Sequence, residues 1–398
     1  MTVFNQDLAR HWIELGTTPQ DLGPRIAGGE EATSANDLEL HKHWPAGLAP
    51  VAEASPGDPT PDDPLPEADY LVITWTVAEL EALAAVLTPG VTRNQWYRYA
   101  RHFEATYLPQ IRDRAPARAA RRLGSYYLTR IGTARVLCFK SELHLNQDGI
   151  MQPSGFATLP VKELFKQLIQ EVKPRLVITV GTAGATYPEH HLGDVVVTRA
   201  ATFHCRSEFA KAPFNRQTYR SDFVLPTGAF EHARALLRHQ DAHLVEPDFG
   251  PPTAHYPGAS HLVPGFKNRP SIRIDGGGGP ADLPAFHPIL TCDTFEFGTT
   301  GNKLEELGCG VEMGDAVLGL AVAELGTSQR WLVIRNASDP AINASLPHGA
   351  KPFDMQAHWA VWYYESFGFW TSVNSAVATW AVIAGDHGDQ GGHGGHAS

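Results

Sequence analysis

Short apolar runs alternate with amphipathic segments along most of this chain. The apolar runs have the length and the branched, apolar composition of buried strands. They are Tyr70–Trp75, "RVLCFKS", "RLVITVG", "DVVVTRAATF" and "RWLVIRNAS". The segments between them have apolar residues at helical spacing. These are Glu79–Leu87, "PVKELFKQLIQEV", "EMGDAVLGLAVAEL" and an aromatic-rich stretch from Phe353 to Ile383. The alternation predicts one α/β domain over about residues 67–384, with a mixed, twisted central sheet.

The two ends of the chain lack this pattern. Residues 1–66 are predicted to be an N-terminal extension, with one or two short helices such as "NQDLARHWIELG". From Pro45 to Pro66 seven prolines stand among acidic and small residues, typical of a linker or of a chain draped over a surface. Residues 385–398 have the composition of a flexible Gly/His tail.

Two insertions interrupt the alternation. Residues 91–130 hold nine arginines against Glu104 and Asp113, which favours a solvated helical pair. The alternative is a rim that attracts an anionic substrate or a partner subunit. Residues 206–290 are rich in Pro, Gly and His, and their "IDGGGGP" predicts a flexible loop more strongly than a phosphate cradle.

Composition narrows the class of protein. The 398 residues have a formal net charge of −11, which argues against a nucleic-acid partner. The four cysteines show no paired spacing, which indicates scattered thiols in a reducing compartment rather than disulfides or a metal site. No signal peptide and no apolar run of membrane-spanning length is recognisable. We therefore expect a cytoplasmic protein without a membrane partner.

The stretch "VITVGTAGATYPEHHLGDVVV" concentrates small residues where a strand is predicted to end. Gly181, Thr182, Ala183 and Gly184 would leave backbone N–H groups open at the carboxyl end of that strand. Ligands of open α/β sheets bind at such ends, and glycine lets a ligand approach the backbone closely. The stretch is therefore a candidate ligand-binding turn.

Four motifs in order, "VGTAGA", "LGDVVV", "GVEM" and "VIRNASDP", resemble the purine nucleoside phosphorylase and methylthioadenosine/adenosylhomocysteine nucleosidase superfamily. The resemblance covers about Asp69 to Ile383. It implies a phosphorylase/nucleosidase-like α/β/α domain, here with an N-terminal extension and two insertions. It also implies a small-molecule purine nucleoside or nucleotide as substrate, no cofactor or metal, and a homodimer or higher homo-oligomer.

The resemblance assigns roles to several residues. Asp339 falls on the catalytic aspartate that protonates or hydrogen-bonds N7 of the leaving purine, and Ser338 on its supporting serine. Glu79 aligns with the glutamate that activates water. The alternatives from the residues themselves are that Asp339 opens a turn and that Glu79 is a helix-surface glutamate in a first turn, where the helix dipole favours it. Phe295 would stack on the purine, unless it is a core residue, with the Glu296 backbone at the edge of the base.

Two departures from the superfamily pattern bear on the substrate. Thr179 stands where bacterial phosphorylases carry a phosphate-holding arginine, which favours water as acceptor, although Thr182 could still meet an anion. Gly314 follows Met313 where the superfamily has a glutamate that binds the sugar 2′- and 3′-hydroxyls. The nearest acids are Glu312 and Asp315. Either Asp315 takes over that role, or the sugar is not an ordinary ribose.

The leading hypothesis is an N-glycosidase that hydrolyses a purine nucleoside or nucleotide and releases the free base. A phosphate-dependent phosphorylase is the nearest alternative. A non-catalytic nucleoside-binding protein on the same scaffold, and a tailoring enzyme for an unusual nucleoside, stay open as well. Retention of both Glu79 and Asp339 favours an enzyme.

Overall fold

A computed structural model describes residues 43–226, 228–240, 270–346, 348–349 and 354–391. The helix expected in "NQDLARHWIELG" lies outside these ranges. Seven α-helices are described: α1 (Val77–Leu87), α2 (Pro116–Ala120), α3 (Leu145–Asp148), α4 (Pro160–Val172), α5 (Phe230–Gln240), α6 (Asp315–Leu325) and α7 (Met355–Gly391).

Thirteen strands are described, and hydrogen bonds join them into one sheet. They are β1 (Val51–Glu53), β2 (Tyr70–Thr74), β3 (Tyr97–Tyr99), β4 (Gly124–Ile131), β5 (Ala134–Ser141), β6 (Leu176–Ala185), β7 (Val195–Thr198), β8 (Ala200–Phe203), β9 (Thr218–Arg220), β10 (Ile272–Ile274), β11 (Ile289–Thr291), β12 (Gly310–Glu312) and β13 (Arg330–Asp339).

The strand β6 is the centre of the sheet. It runs parallel to β2 on one side and to β13 on the other, and its last residues pair antiparallel with β12. Antiparallel pairs such as β4 with β5 and β13 with β7 extend the sheet outward. The predicted mixed sheet is thereby confirmed.

Side chains of β6 alternate between two cores, as the two-residue period of a strand requires. Leu176, Ile178 and Val180 belong to a cluster with residues of α1, α5 and α7. Val177 and Ala183 belong to a second cluster with residues of α4 and α6. Helices thus cover both faces of the sheet, which explains why the central strands β2 and β6 are mainly apolar and almost entirely buried.

Most predicted strands and helices are present, but the structure differs from the prediction in three places. Gly181 to Ala185 continue β6 instead of forming a turn. The helix α7 continues to Gly391, into the stretch predicted to be a tail. The first insertion is not a helical pair. It holds β3, α2 and most of β4, because its buried Tyr99 and Phe103 give it a core-facing side that the charge count did not reveal.

Part of the predicted N-terminal extension lies against the domain. The strand β1 pairs antiparallel with β4, and the Trp44 ring lies 4.5 Å from that of Trp380 in α7. Leu65 is buried in the core. The sequence left two alternatives for this proline-rich stretch, a linker or a chain draped over a surface. Residues 43–66 fit the second alternative. None of the described helices combines the length and the apolar character needed to cross a membrane.

Candidate active site

Glu79 is fixed at the junction of β2 and α1 by hydrogen bonds to the backbone. Thr76 and Glu79 form a capping box, in which the Thr76 side chain accepts from the Glu79 N–H and Glu79 Oε2 accepts from the Thr76 N–H at 2.9 Å. The same Oε2 accepts from the Trp75 N–H and from Thr74 Oγ1, both at 3.0 Å. Glu79 therefore lies in the first turn of α1, but it is 3% exposed and is not the surface glutamate of the alternative interpretation.

The second oxygen of Glu79 reaches the neighbouring strand. Glu79 Oε1 accepts from the backbone N–H and from the hydroxyl of Thr182, both at 2.8 Å. A Cβ on Gly181 would lie 2.4 Å from this oxygen, closer than any side chain permits. The glycine beside Thr182 is thus required by the approach of Glu79, which explains one of the small residues at the end of β6.

Arg335 is a buried cation of this site, and the sequence interpretation gave it no role. It lies in the interior of β13 and is 3% exposed. Its guanidinium forms a two-pronged pair with Asp315, with Nε at 2.9 Å and Nη2 at 2.6 Å from the carboxylate oxygens. Glu312 Oε2 lies 3.2 Å from Nη2, and Glu79 Oε1 lies 3.8 Å from Nη1. A charged residue inside the apolar run "WLVIRNAS" was the signal that could have revealed it.

Asp339 lies at the end of β13, where the strand is irregular. The register of β13 against β6 shifts between Ala337 and Asp339, so that Asp339 pairs with Gly184. Such bulges redirect side chains and are common beside functional sites. Asp339 Oδ1 is 3.0 Å from the Ser338 hydroxyl, whereas Oδ2 has no hydrogen-bond partner among the described residues.

The pKa values of the two carboxyl groups, Asp339 and Glu79, are shifted in opposite directions. Burial raises the pKa of Asp339 to about 7, and the Ser338 hydroxyl offsets only part of this effect. Burial also acts to raise the pKa of Glu79. There, however, the charge of Arg335 and the hydrogen bonds from Thr76 and Thr182 outweigh it and hold the pKa below its ordinary value. Near neutral pH one group can donate a proton while the other stays ionised.

A cavity of about 520 Å³ brings these groups together. Thr182, which binds Glu79, and Gly184, which lies beside Asp339, are two residues apart on β6, a backbone rise of about 7 Å. The volume is within the range of small-molecule sites. Ten of the residues predicted from sequence line it: Glu79, Thr182, Ala183, Gly184, Phe295, Glu296, Glu312, Met313, Ser338 and Asp339.

Asp315 is the predicted site residue that does not line this cavity. It is fully buried and faces Arg335. Glu312 does line the cavity, but its carboxylate accepts hydrogen bonds from the Thr291 hydroxyl and the Asp315 N–H and pairs with Arg335. Burial, followed by the neighbouring charge of Asp315, raises the pKa of Glu312. Both acids that could replace a glutamate at position 314 are therefore already held by hydrogen bonds and ion pairs within the protein.

Several cavity residues were not predicted. Trp75 follows β2, and its ring lies 4.8 Å from the Arg335 guanidinium carbon. Val361 and Tyr364 come from α7, whose aromatic residues were predicted only to form a helix. The first insertion contributes a segment next to α3. Its cavity residues are Arg112, Asp113, Arg114 and Pro116. This placement agrees with the rim alternative for that insertion.

The metal-binding capacity of the described residues is limited. They contain no group of three or more His, Cys, Asp or Glu side chains placed to hold a metal ion. The four cysteines all lie in the described part of the chain, and each is buried and free of disulfides. The lining residues carry carboxyl, hydroxyl, guanidinium and aromatic groups, together with the His144 imidazole, the Cys292 thiol and the amides of Asn146 and Gln147.

No protein-family profile and no curated protein matches this chain. Among solved structures it is similar to the 5′-methylthioadenosine/S-adenosylhomocysteine nucleosidase of Neisseria meningitidis, at 14% identity, with 79% of this chain and 99% of that chain covered and a TM-score of 0.39. The corresponding Colwellia psychrerythraea nucleosidase, solved with adenine, is 15% identical, with 80% and 95% covered and a TM-score of 0.41.

A futalosine hydrolase of Helicobacter pylori is also similar, at 10% identity, with 79% of this chain and 97% of that chain covered and a TM-score of 0.40. These neighbours are members of the phosphorylase and nucleosidase superfamily that the sequence motifs resemble. At such identities and scores the likeness says nothing about substrate, and function has to be inferred from the site itself.

Proposed function

We propose that this protein is an N-glycosidase that hydrolyses the glycosidic bond of a purine nucleoside or nucleotide and releases the free base. The observation that carries the proposal is the pairing of Asp339, a buried acid with a pKa of about 7, with the ionised Glu79 in one cavity. Cleavage of an N-glycosidic bond needs an acid at the leaving base and an acceptor for the proton of the attacking water.

In the proposed reaction Asp339 gives its proton to N7 of the purine as the bond between C1′ and N9 breaks. The sugar acquires oxocarbenium character, and the electrons of the broken bond stay with the base. A water molecule adds its oxygen to C1′, and Glu79 accepts the proton that this water loses. The hydrogen bonds of Glu79 to Trp75, Thr76 and Thr182 hold its carboxylate in place during the reaction.

Water is a better acceptor than phosphate for this site. A phosphate dianion needs a cation that is not already neutralised. Arg335 is surrounded by Glu79, Glu312 and Asp315. Thr179, the position of the missing arginine, is fully buried in β6 with its hydroxyl 3.5 Å from the Leu332 carbonyl oxygen. Arg114 at the edge of the cavity is the feature that keeps the phosphorylase alternative open.

The proposal is tested by incubating the protein with purine nucleosides and their 5′-monophosphates, with and without inorganic phosphate, and by measuring free base. We expect base release in phosphate-free buffer with little gain from added phosphate. A strict phosphate requirement with sugar 1-phosphate as product would assign the protein to the phosphorylases. Ligand binding without release of any base would assign it to the non-catalytic binders. The cytoplasmic location and the homodimer or higher oligomer stay predictions.

A further inference from the structure

The stereochemistry of the proposed reaction indicates which wall of the cavity the sugar hydroxyls would face. In a β-nucleoside the base projects from one face of the sugar ring, and the 2′- and 3′-hydroxyls project from the other. Water that displaces the base attacks from the face of the hydroxyls. The wall that holds the water, with Glu79 and Arg335, is therefore also the wall that the hydroxyls would meet.

Trp75 belongs to this wall. Its backbone N–H donates to Glu79 Oε2 at 3.0 Å, and its ring lies 4.8 Å from the Arg335 guanidinium carbon. The ring also packs edge-on against Phe165, with the centroids 6.1 Å apart, which fixes its position from the core side. The indole nitrogen is buried, so what Trp75 offers to the cavity is carbon surface.

Gly314 gives this indole its space. A Cβ at position 314 would lie 3.0 Å from Trp75 Cζ2 and 3.3 Å from Cε2. Trp75 and Gly314 are thus a matched pair in which the large ring occupies the volume that a side chain at 314 would need.

The charged groups of the same wall are already engaged. Glu79 accepts five hydrogen bonds from Thr74, Trp75, Thr76 and Thr182. Asp315 and Glu312 are bound by Arg335 and neighbouring donors. A hydroxyl that faces the Trp75 ring would exchange hydrogen bonds with water for contact with aromatic carbon, which is unfavourable.

We propose, on the basis of the proposed function, that Trp75 over Gly314 determines sugar specificity by presenting an apolar face to the 2′-position. The pocket therefore binds a 2′-deoxy sugar, or another sugar poor in hydroxyls, at least as well as a ribose. Trp75 acts by contact with the sugar ring, whose C–H groups pack against the indole.

The test measures binding, because a 2′-hydroxyl also slows bond breaking through its electron-withdrawing effect. Dissociation constants of adenosine and 2′-deoxyadenosine, and of the inosine and guanosine pairs, are determined by calorimetry on the Asp339→Asn variant. We expect the members of each pair that binds to differ by less than about threefold, or the deoxy form to bind more tightly. A hydroxyl held by a carboxylate would instead favour the ribo form by about 10- to 150-fold, which would overturn the inference.

A double variant tests the wall directly. Trp75→Ala with Gly314→Glu opens the space and supplies a carboxylate, and we expect a ribo preference of about tenfold or more. Trp75→Ala alone, the matched control, gains no such preference. Circular dichroism confirms that each variant is folded. A folded double variant without a ribo preference would show that this wall does not face the hydroxyls.

The failures of the two proposals are distinguishable. If nucleosides bind but the wild-type protein releases no base, the proposed function fails, while the deoxy-to-ribo binding ratio still decides the role of Trp75. If no nucleoside of either series binds, both proposals are overturned.

Discussion

Glu79 and Asp339 are two carboxyl groups of one cavity, both at least 96% buried, and their surroundings give them opposite character. Glu79 has five hydrogen bonds and a nearby guanidinium, which together outweigh the cost of burial. Asp339 has one hydrogen bond at Oδ1 and no cation, so burial dominates and favours the neutral form. Burial alone therefore does not set the direction of a pKa shift; at Glu79 the neighbouring cation and the hydrogen-bond donors outweigh it.

Asp339→Asn removes the proposed acid while keeping its shape, and has the largest expected effect on turnover. We expect kcat to fall by about 10²–10⁴-fold, the usual contribution of general acid catalysis. The measurement is steady-state base release on a substrate found with the nucleoside panel. Asp222→Asn, an exposed carboxylate outside the cavity, is the control and should leave kcat unchanged. Near-normal turnover in Asp339→Asn would exclude Asp339 as the acid.

Glu79→Gln tests the other carboxylate, with a loss of kcat of about 10²–10⁴-fold as well. Unlike the Asp339 change, it should also lower stability by about 1–3 kcal/mol, because the new amide N–H₂ group would face N–H and O–H donors. Urea denaturation separates the two effects. Glu81→Gln in the same helix is the matched control, since Glu81 pairs with Arg93 and does not line the cavity.

The double variant Asp339→Asn with Glu79→Gln tests whether the two carboxyl groups act together. If Asp339 and Glu79 serve one step, the combined loss in kcat should be smaller than the product of the two single losses. Fully multiplicative losses would mean that the two groups contribute independently to the transition state.

Arg335→Met removes the cation that distinguishes the two environments. It leaves Glu79, Glu312 and Asp315 without their shared partner, and we expect destabilisation of about 3–5 kcal/mol in urea denaturation. Adding Asp315→Asn to this variant should restore part of the stability, because it removes one of the unpaired charges. An Arg335→Met protein as stable as the wild type would show that these carboxylates are neutral in the fold.

Ser338→Ala has the smallest expected effect, a shift of the pH profile. In the wild type kcat/KM should fall about tenfold per pH unit above about pH 7, as Asp339 loses its proton. The Ser338 hydroxyl favours the charged form of Asp339, so its removal raises the pKa further and moves the falling limb to higher pH. A shift to lower pH, or a profile without this limb, would contradict the role of Asp339.

The elements of the domain were largely predictable from sequence, whereas the arrangement of the first insertion was not. Residues 160–172 have a helical periodicity and residues 330–339 begin with a short apolar run; contact with a core sets both patterns, and the sequence records them directly. In residues 91–130 the arginines dominated the prediction. Tyr99 and Phe103, which decide how that segment packs, are buried by contacts with distant strands and helices. A charge count carries no information about such contacts.

The sequence by itself determined the α/β class, the order of the main strands and helices, and the two carboxyl groups that the resemblance assigns to catalysis. Only the tertiary structure placed Arg335 between three acids, set Trp75 over Gly314, and shifted the pKa values of Asp339 and Glu79 in opposite directions. The reason is physical. Periodicity and capping are local properties of the chain, whereas a pKa depends on which distant donors and charges fold around a group.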